Sequence, residues 1–162
     1  LRSAGSALPA DRIGFQNDTR DILAVAGPML AGELEYRRGN YDIAFANLRK
    51  AVDLYDSLNY SEPWSWMMPP RHALGALLLE KGDVEEATAV YRADLGLDDT
   101  LVRPSQHPNN IWSLVGYAEC CERQGNKNAL NAIRPELDKA RKIADASITV
   151  SCFCRIGHEC CS

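Results

Sequence analysis

A chain of 162 residues, 46% hydrophobic and 25% charged, has the arithmetic of one ordinary globular domain able to bury roughly 70% of its unfolded surface. Eighteen basic against 22 acidic side chains leave a net charge of −4 and a pI near 5.4, which argues against a nucleic-acid binder. The longest apolar run, 73–79, is interrupted by Gly75 and falls far short of the ~20 residues of a membrane span.

The chain opens Leu1-Arg2-Ser3-Ala4-Gly5-Ser6, without an initiator Met or a signal-peptide apolar core, and is expected to be a processed chain or a piece of a longer protein. Residues 1–18 are read as an N-terminal extension. Beyond them, Ile22, Ala26, Met29, Leu30 and Leu34 recur at helical spacing, and Gly39 supplies a left-handed stop. Asn40 or Asp42 then caps a second helix whose Ala44, Leu48, Ala51, Val52 and Tyr55 form one apolar stripe. A third helix opens at Pro69-Pro70 and runs to Lys81 before Gly82. A fourth carries Val84, Ala87, Val90, Tyr91 and Leu95 and ends at Gly96. After Pro108 comes a fifth, through Trp112, Val115, Ala118 and Cys121. A sixth spans roughly 127–145, with Pro135 expected to kink it or to mark an earlier start. The run Ile148-Thr149-Val150-Ser151-Cys152-Phe153 favours β-structure, and one short run makes no sheet. The fold class is all-α.

The helices repeat. Gly39, Gly82 and Gly125 are spaced by 43 residues and then 43 again, with Gly32, Gly75 and Ala118 seven positions before them. Five positions after come Ala44, Ala87 and Leu130, and nine after come Leu48, Tyr91 and Arg134. A fixed period with small residues in register is the signature of stacked supersecondary units. Small residues let two helices approach, and Leu48 or Tyr91 fills the seam.

At Leu74-Gly75, Ala87 and Tyr91, and more loosely at Ala31-Gly32, Ala44 and Leu48, the sequence resembles the tetratricopeptide repeat over about residues 20–145. That family repeats every ~34 residues, so a period of 43 implies about nine extra between hairpins. HEAT and armadillo repeats have the length but not turns such as Gly39-Asn40-Tyr41-Asp42 or Gly82-Asp83-Val84-Glu85. Around Glu62-Pro63-Trp64, Arg71-His72-Ala73-Leu74-Gly75, His107-Pro108 and Ser151-Cys152-Phe153-Cys154 the chain is also similar to the C-terminal part of long bacterial and fungal repeat proteins. The resemblance implies a right-handed solenoid of three hairpins over 19–146 with long inter-repeat loops, then a Cys-rich tail over 147–162. It implies a protein-interaction or scaffold module with a groove lined by the first helix of each hairpin. By register the lining is Met29, Glu33 and Tyr36, then His72, Ala76 and Leu79, then Trp112, Val115 and Glu119. The family's clamp for chaperone C-terminal carboxylates needs Lys, Asn and Arg there, which Met29, Glu33 and His72 do not supply, so a basic or apolar helical segment is the expected partner.

Chemistry has three places to reside. The long connections carry Tyr60, Glu62, Trp64, Trp66, Met67 and Met68 in the first case, and Asp98, Asp99, Arg103 and His107 in the second. Trp64, Trp66 and His107 are expected as an adaptable contact surface, or the tryptophans as filling between hairpins. His72 and His107 are expected to share a polar contact with Glu62 or a partner's carboxylate. Without a His-x3-His or Glu-x-x-His spacing, and with no nucleophile, base and orienter to assemble, no catalytic residue is nominated. Asp94, Asp98 and Asp99 read as a solvated acidic face. No phosphate loop, nucleophile elbow or calcium loop is present in the sequence.

All six cysteines lie in the last 43 residues, which suits a reducing cytoplasm better than a disulfide framework. Cys120 and Cys121 read as packing residues. Cys152, Cys154, His158, Cys160 and Cys161 could supply soft ligands to Zn or Cu(I), although the spacing is wrong for common zinc sites. No other cofactor is expected. A metal-handling or thiol-active protein using this cluster, or an enzyme built on the His72/His107 region, is the competing class. The favoured expectation is a tail that caps the last hairpin with Ile148, Val150 and Phe153. Self-association through the open apolar face of the 22–34 helix is the remaining partner expectation.

Overall fold

The structure, a computed structural model, describes residues 12–14 and 16–155. Among them are six α-helices and one two-stranded scrap of sheet, an all-α architecture. Strands β1 (Ile13–Gly14) and β2 (Asn17–Asp18) pair antiparallel. Helices follow as α1 (Thr19–Arg37), α2 (Tyr41–Asp56), α3 (Pro70–Lys81), α4 (Val84–Leu95), α5 (Ile111–Arg123) and α6 (Lys127–Ile143). The chain divides into two compact units, up to Pro70 and from Arg71 onward, where the repeat alone implies one domain over 19–146.

Each predicted turn glycine sits between two helices with positive φ: 83° at Gly39, 98° at Gly82 and 66° at Gly125. The closure is the same three times. The N–H after the glycine returns to the carbonyl five residues back, Asn40 to Glu35 at 2.9 Å, Asp83 to Leu78 at 2.9 Å and Asn126 to Cys121 at 2.8 Å. This left-handed closure satisfies carbonyls the helix end leaves open, and glycine adopts it without Cβ strain. Gly96 ends α4 in the same region, at φ 67°.

Caps depart from expectation in one hairpin. Asn40 does not cap α2; its Nδ2 donates to Glu35 Oε2 at 2.6 Å, and Asp42 lies in the first turn. Asp18 caps α1 by accepting from the Arg20 N–H at 2.8 Å, so the described end of the predicted extension belongs to the first unit. Asn17 reinforces that, donating to the Asn59 carbonyl and Ser65 Oγ and accepting from the Asn59 N–H. Asn110 caps α5 through the N–H groups of Trp112 and Ser113. Pro135 neither starts nor ends α6. The carbonyl it deprives of a donor belongs to exposed Asn131, where water can serve instead.

In the first unit, Val25, Ala51 and Tyr55 form a core joined by Met29, Leu54, Leu58 and Trp66. Ala44 and Leu48 are buried, and a Cβ on Gly32 would lie 2.6 Å from Leu48 Cγ. The side chain facing the small residue is therefore Leu48, nine after the turn, while Ala44 offers its carbonyl. In the second unit Tyr91 is fully buried between two glycines. A Cβ on Gly75 would meet its ring at 2.5 Å, and one on Gly116 would meet the same ring. The close approach on α5 thus falls at Gly116, against the ring of the preceding hairpin and two residues before Ala118.

Candidate functional site

The most built polar feature lies inside the second unit and centres on Asp94, which has no exposure. Asp94 faces inward because it occupies the buried stripe of α4 beside Tyr91 and Leu95. Its Oδ2 accepts from His72 Nε2 of α3 at 3.2 Å and from Ser113 Oγ of α5 at 2.5 Å. Its Oδ1 accepts from His107 Nδ1 at 2.8 Å, and its backbone carbonyl takes the His107 N–H at 2.6 Å. One carboxylate therefore ties two first helices and the long connection between hairpins to α4.

Burial pushes the Asp94 carboxyl up, but the hydrogen bonds from His107 and His72, with their charges, outweigh it and hold the group well below its ordinary value of 3.8. His72 Nδ1 is a buried atom without a hydrogen-bond partner among the described residues.

This constellation contains Ser, His and Asp yet is not wired as a triad. A nucleophile needs the imidazole between hydroxyl and carboxylate, whereas Ser113 donates directly to Asp94. His72 and Ser113 have no exposure and His107 only 7%. The arrangement can hold helices and a loop in register. The expectation of a solvated 94–99 face is overturned at Asp94, and the carboxylate the histidines share is Asp94 rather than Glu62. Glu62 is exposed and accepts from the Tyr60 hydroxyl.

A signal for the hub was available. By the 43-residue register Asp94 corresponds to Ala51 and Leu137, both buried, and His72 to Met29 and Val115. An acid at a position that is apolar in both sister hairpins marks an interior charge, and interior charges come with partners.

The residues expected to line a groove separate by burial. Tyr36, His72, Ala76, Leu79 and Val115 are buried, so packed neighbours stand where a partner would, and they serve the interior. Met29 joins the first unit's core. Glu33 is half-buried; burial pushes its carboxyl up, opposed by the charge of Arg37. Of the loop surface, His107 is interior and Trp66 is committed to the core beside Val25, while Trp64 is half-buried. Leu30 and Leu34 stand about half exposed on the outer side of α1, where self-association was expected.

Trp112 and Glu119 on α5 remain, and both are engaged. The Trp112 ring lies 4.6 Å from the Phe153 ring, centroid to centroid, with planes tilted by 56°. Glu119 accepts from Arg155 Nη1 at 2.7 Å and Nη2 at 3.2 Å, and from Arg123 Nη2 at 2.5 Å. Burial raises the Glu119 carboxyl, but these guanidinium contacts lower it further than burial lifts it. Between them, the buried Tyr91 hydroxyl donates to Ser151 Oγ at 2.6 Å. Burial holds the phenol far above its usual range.

The tail thus docks on the second unit, with altered details. Ile148–Phe153 forms no strand, Ile148 and Val150 are only half-buried, and Phe153 is 60% exposed. The interior contacts come from Ser151 and Cys152 instead. Of the possible metal ligands, His158, Cys160 and Cys161 lie outside the described residues. Among the described residues no group of three or more His, Cys, Asp or Glu is disposed to hold a metal ion. Cys120 and Cys121 are buried; desolvation pushes Cys120 up to about 11 and raises Cys121 as well. No described helix is long and apolar enough to cross a membrane.

Comparison with protein families, with curated proteins and with solved structures gave no match.

Proposed function

We propose that the chain is a protein-interaction module, a right-handed array of hairpins of the tetratricopeptide-like kind, that takes a peptide segment on the face of α3 and α5 in the second unit. The observation that carries this reading is the engagement of Trp112 and Glu119, two of the expected groove residues, by side chains of a single 3-10 turn, Phe153–Arg155, that belongs to neither helix of the hairpin. A half-buried aromatic and a carboxylate seven residues along one helix face offer one stacking site and one charge-assisted site. The partner is then a segment with an aromatic and a basic residue, which refines the expected basic helical ligand. A cytoplasmic setting is proposed with it, on the gathering of all six cysteines in the last 43 residues, which suits a reducing compartment better than a disulfide framework.

Peptide display against the full chain tests the reading. Enriched segments should place Arg or Lys close after an aromatic, and Glu119→Gln or Trp112→Ala should each weaken binding about tenfold, the scale of one charge-assisted hydrogen bond or one aromatic contact. No enrichment, or enrichment indifferent to both substitutions, would contradict it.

A further inference from the structure

The face of α3 and α5 is already occupied. Resting on the peptide-binding reading above, we propose that it recognises a Ser-x-Phe-x-Arg segment that closes in a single 3-10 turn, and that the chain's own Ser151, Phe153 and Arg155 are its resident occupant, so that an outside segment of this chemistry binds by displacing the tail.

The three residues alternate, and each meets a different kind of partner. Ser151 is buried and accepts from the Tyr91 hydroxyl. Phe153 lays one side of its ring against Trp112 and leaves the rest to solvent. Arg155 grips Glu119 with both terminal nitrogens, and Glu80, on α3, adds a second negative charge near it. Two bonds within the segment hold this spacing: the Arg155 N–H reaches the Cys152 carbonyl at 3.1 Å, and the Cys154 N–H reaches Cys152 Sγ at 3.2 Å. The tight turn presents Phe153 and Arg155 to α5 together.

The composition of these contacts is that of a ligand rather than a core element. A segment that completes a core contributes large apolar side chains. Here Ile148 and Val150 are half-buried, Phe153 is mostly exposed, the small Cys152 is the one apolar side chain of the segment taken inside, and the directional anchoring is done by a hydroxyl pair and an ion pair. Polar anchors are directional and specific, and solvent can replace them, so they suit a contact made and released. The path from α6 to Ser151 contains no helix or strand, so departure of the tail breaks no regular element. Tethering over so few residues gives the tail an effective concentration on the order of millimolar, which a partner in trans must overcome. The module is thereby gated by its own 151–155 segment.

The test uses the full chain under reducing conditions and a labelled synthetic peptide of residues 147–155, with binding followed by fluorescence anisotropy. Arg155→Glu faces Glu119 and Glu80 and should expel the tail, so this variant should bind the peptide at least tenfold more tightly than wild type. Equal affinity of wild type and Arg155→Glu would overturn the proposal. Should Arg155→Glu not fold, hydrogen exchange on the wild type reads the same event. Saturating peptide should speed exchange at Cys152–Arg155 while leaving α6 unchanged, and unchanged protection at saturation counts against displacement. Failure of the tail peptide alongside display-selected peptides that depend on Trp112 and Glu119 would remove the tail inference and keep the module. Failure of both would remove both.

Discussion

The first and second hairpins share one register and fill it differently. In the first, Leu48 closes against Gly32 and the cluster behind it is apolar, with the following connection held by Trp66 packed beside Val25, Ala51 and Tyr55 and by buried Asn17 bonded to Asn59 and Ser65. In the second, Tyr91 takes the place of Leu48 and Asp94 the place of Ala51, and the connection is held by His107 on that carboxylate. Apolar packing tolerates small slips, whereas a carboxylate with three donors accepts one geometry. Tyrosine brings a further consequence. Its hydroxyl, buried between two glycines, needs a partner, and the tail supplies it through Ser151. A polar solution at the seam therefore couples the segment after α6 to the interior, which an aliphatic one such as Leu48 has no means to do.

The contrast breaks most sharply at Asp94. Asp94→Ala strands two imidazoles and a hydroxyl in the interior and should cost about 3–5 kcal/mol of stability, seen as a lower denaturation midpoint. Acid reaches the same contact without mutation. Because the folded carboxyl lies below its ordinary 3.8, its contribution is complete above that value and drains away as pH falls through and beneath it. Wild type should therefore lose stability on acidification more steeply than an Asp94→Asn variant, and parallel curves would contradict the hub.

Overpacking probes the seams themselves. Gly75→Ala and Gly116→Ala each force a methyl against a ring clamped on both sides and should cost about 1–3 kcal/mol in thermal melts. Gly32→Ala meets a branched side chain with one glycine opposite, so it should sit at the lower end of that range. Tyr91→Phe keeps the ring and removes only its bond to Ser151, at about 1 kcal/mol, and should raise exchange at Ser151–Arg155. Arg155→Ala comes last. Its ion pair is partly solvated and should change global stability by less than about 1 kcal/mol, whatever it does to the tail.

Much of the fold was legible because turn chemistry is local. Gly39, Gly82 and Gly125 announce left-handed closures that no other residue makes cheaply, and the apolar stripes between them fix six helices. The seam partner Tyr91 was legible from the same register. Gly116 was not, because the alignment of small residues pointed to Ala118 and nothing in one sequence says which will face a ring. Asp94 was misjudged by its neighbours: beside Asp98 and Asp99 it looks solvated, although its helical phase with Tyr91 and Leu95 turns it inward. The repeat register offered Trp112 and Glu119 for an expected binding face but did not name what meets them, since the capping tail was expected to work through Ile148, Val150 and Phe153 and nothing local singles out Ser151 or Arg155.

The central claim is that polar contacts hold the tail on α5, and solution NMR reads it directly through ring-to-ring cross-relaxation between Trp112 and Phe153. Wild type should show these cross-peaks, consistent with centroids 4.6 Å apart, and Arg155→Glu should lose them while α5 keeps its helical shifts. Their absence from wild type, or their persistence at full strength in Arg155→Glu, would contradict the account.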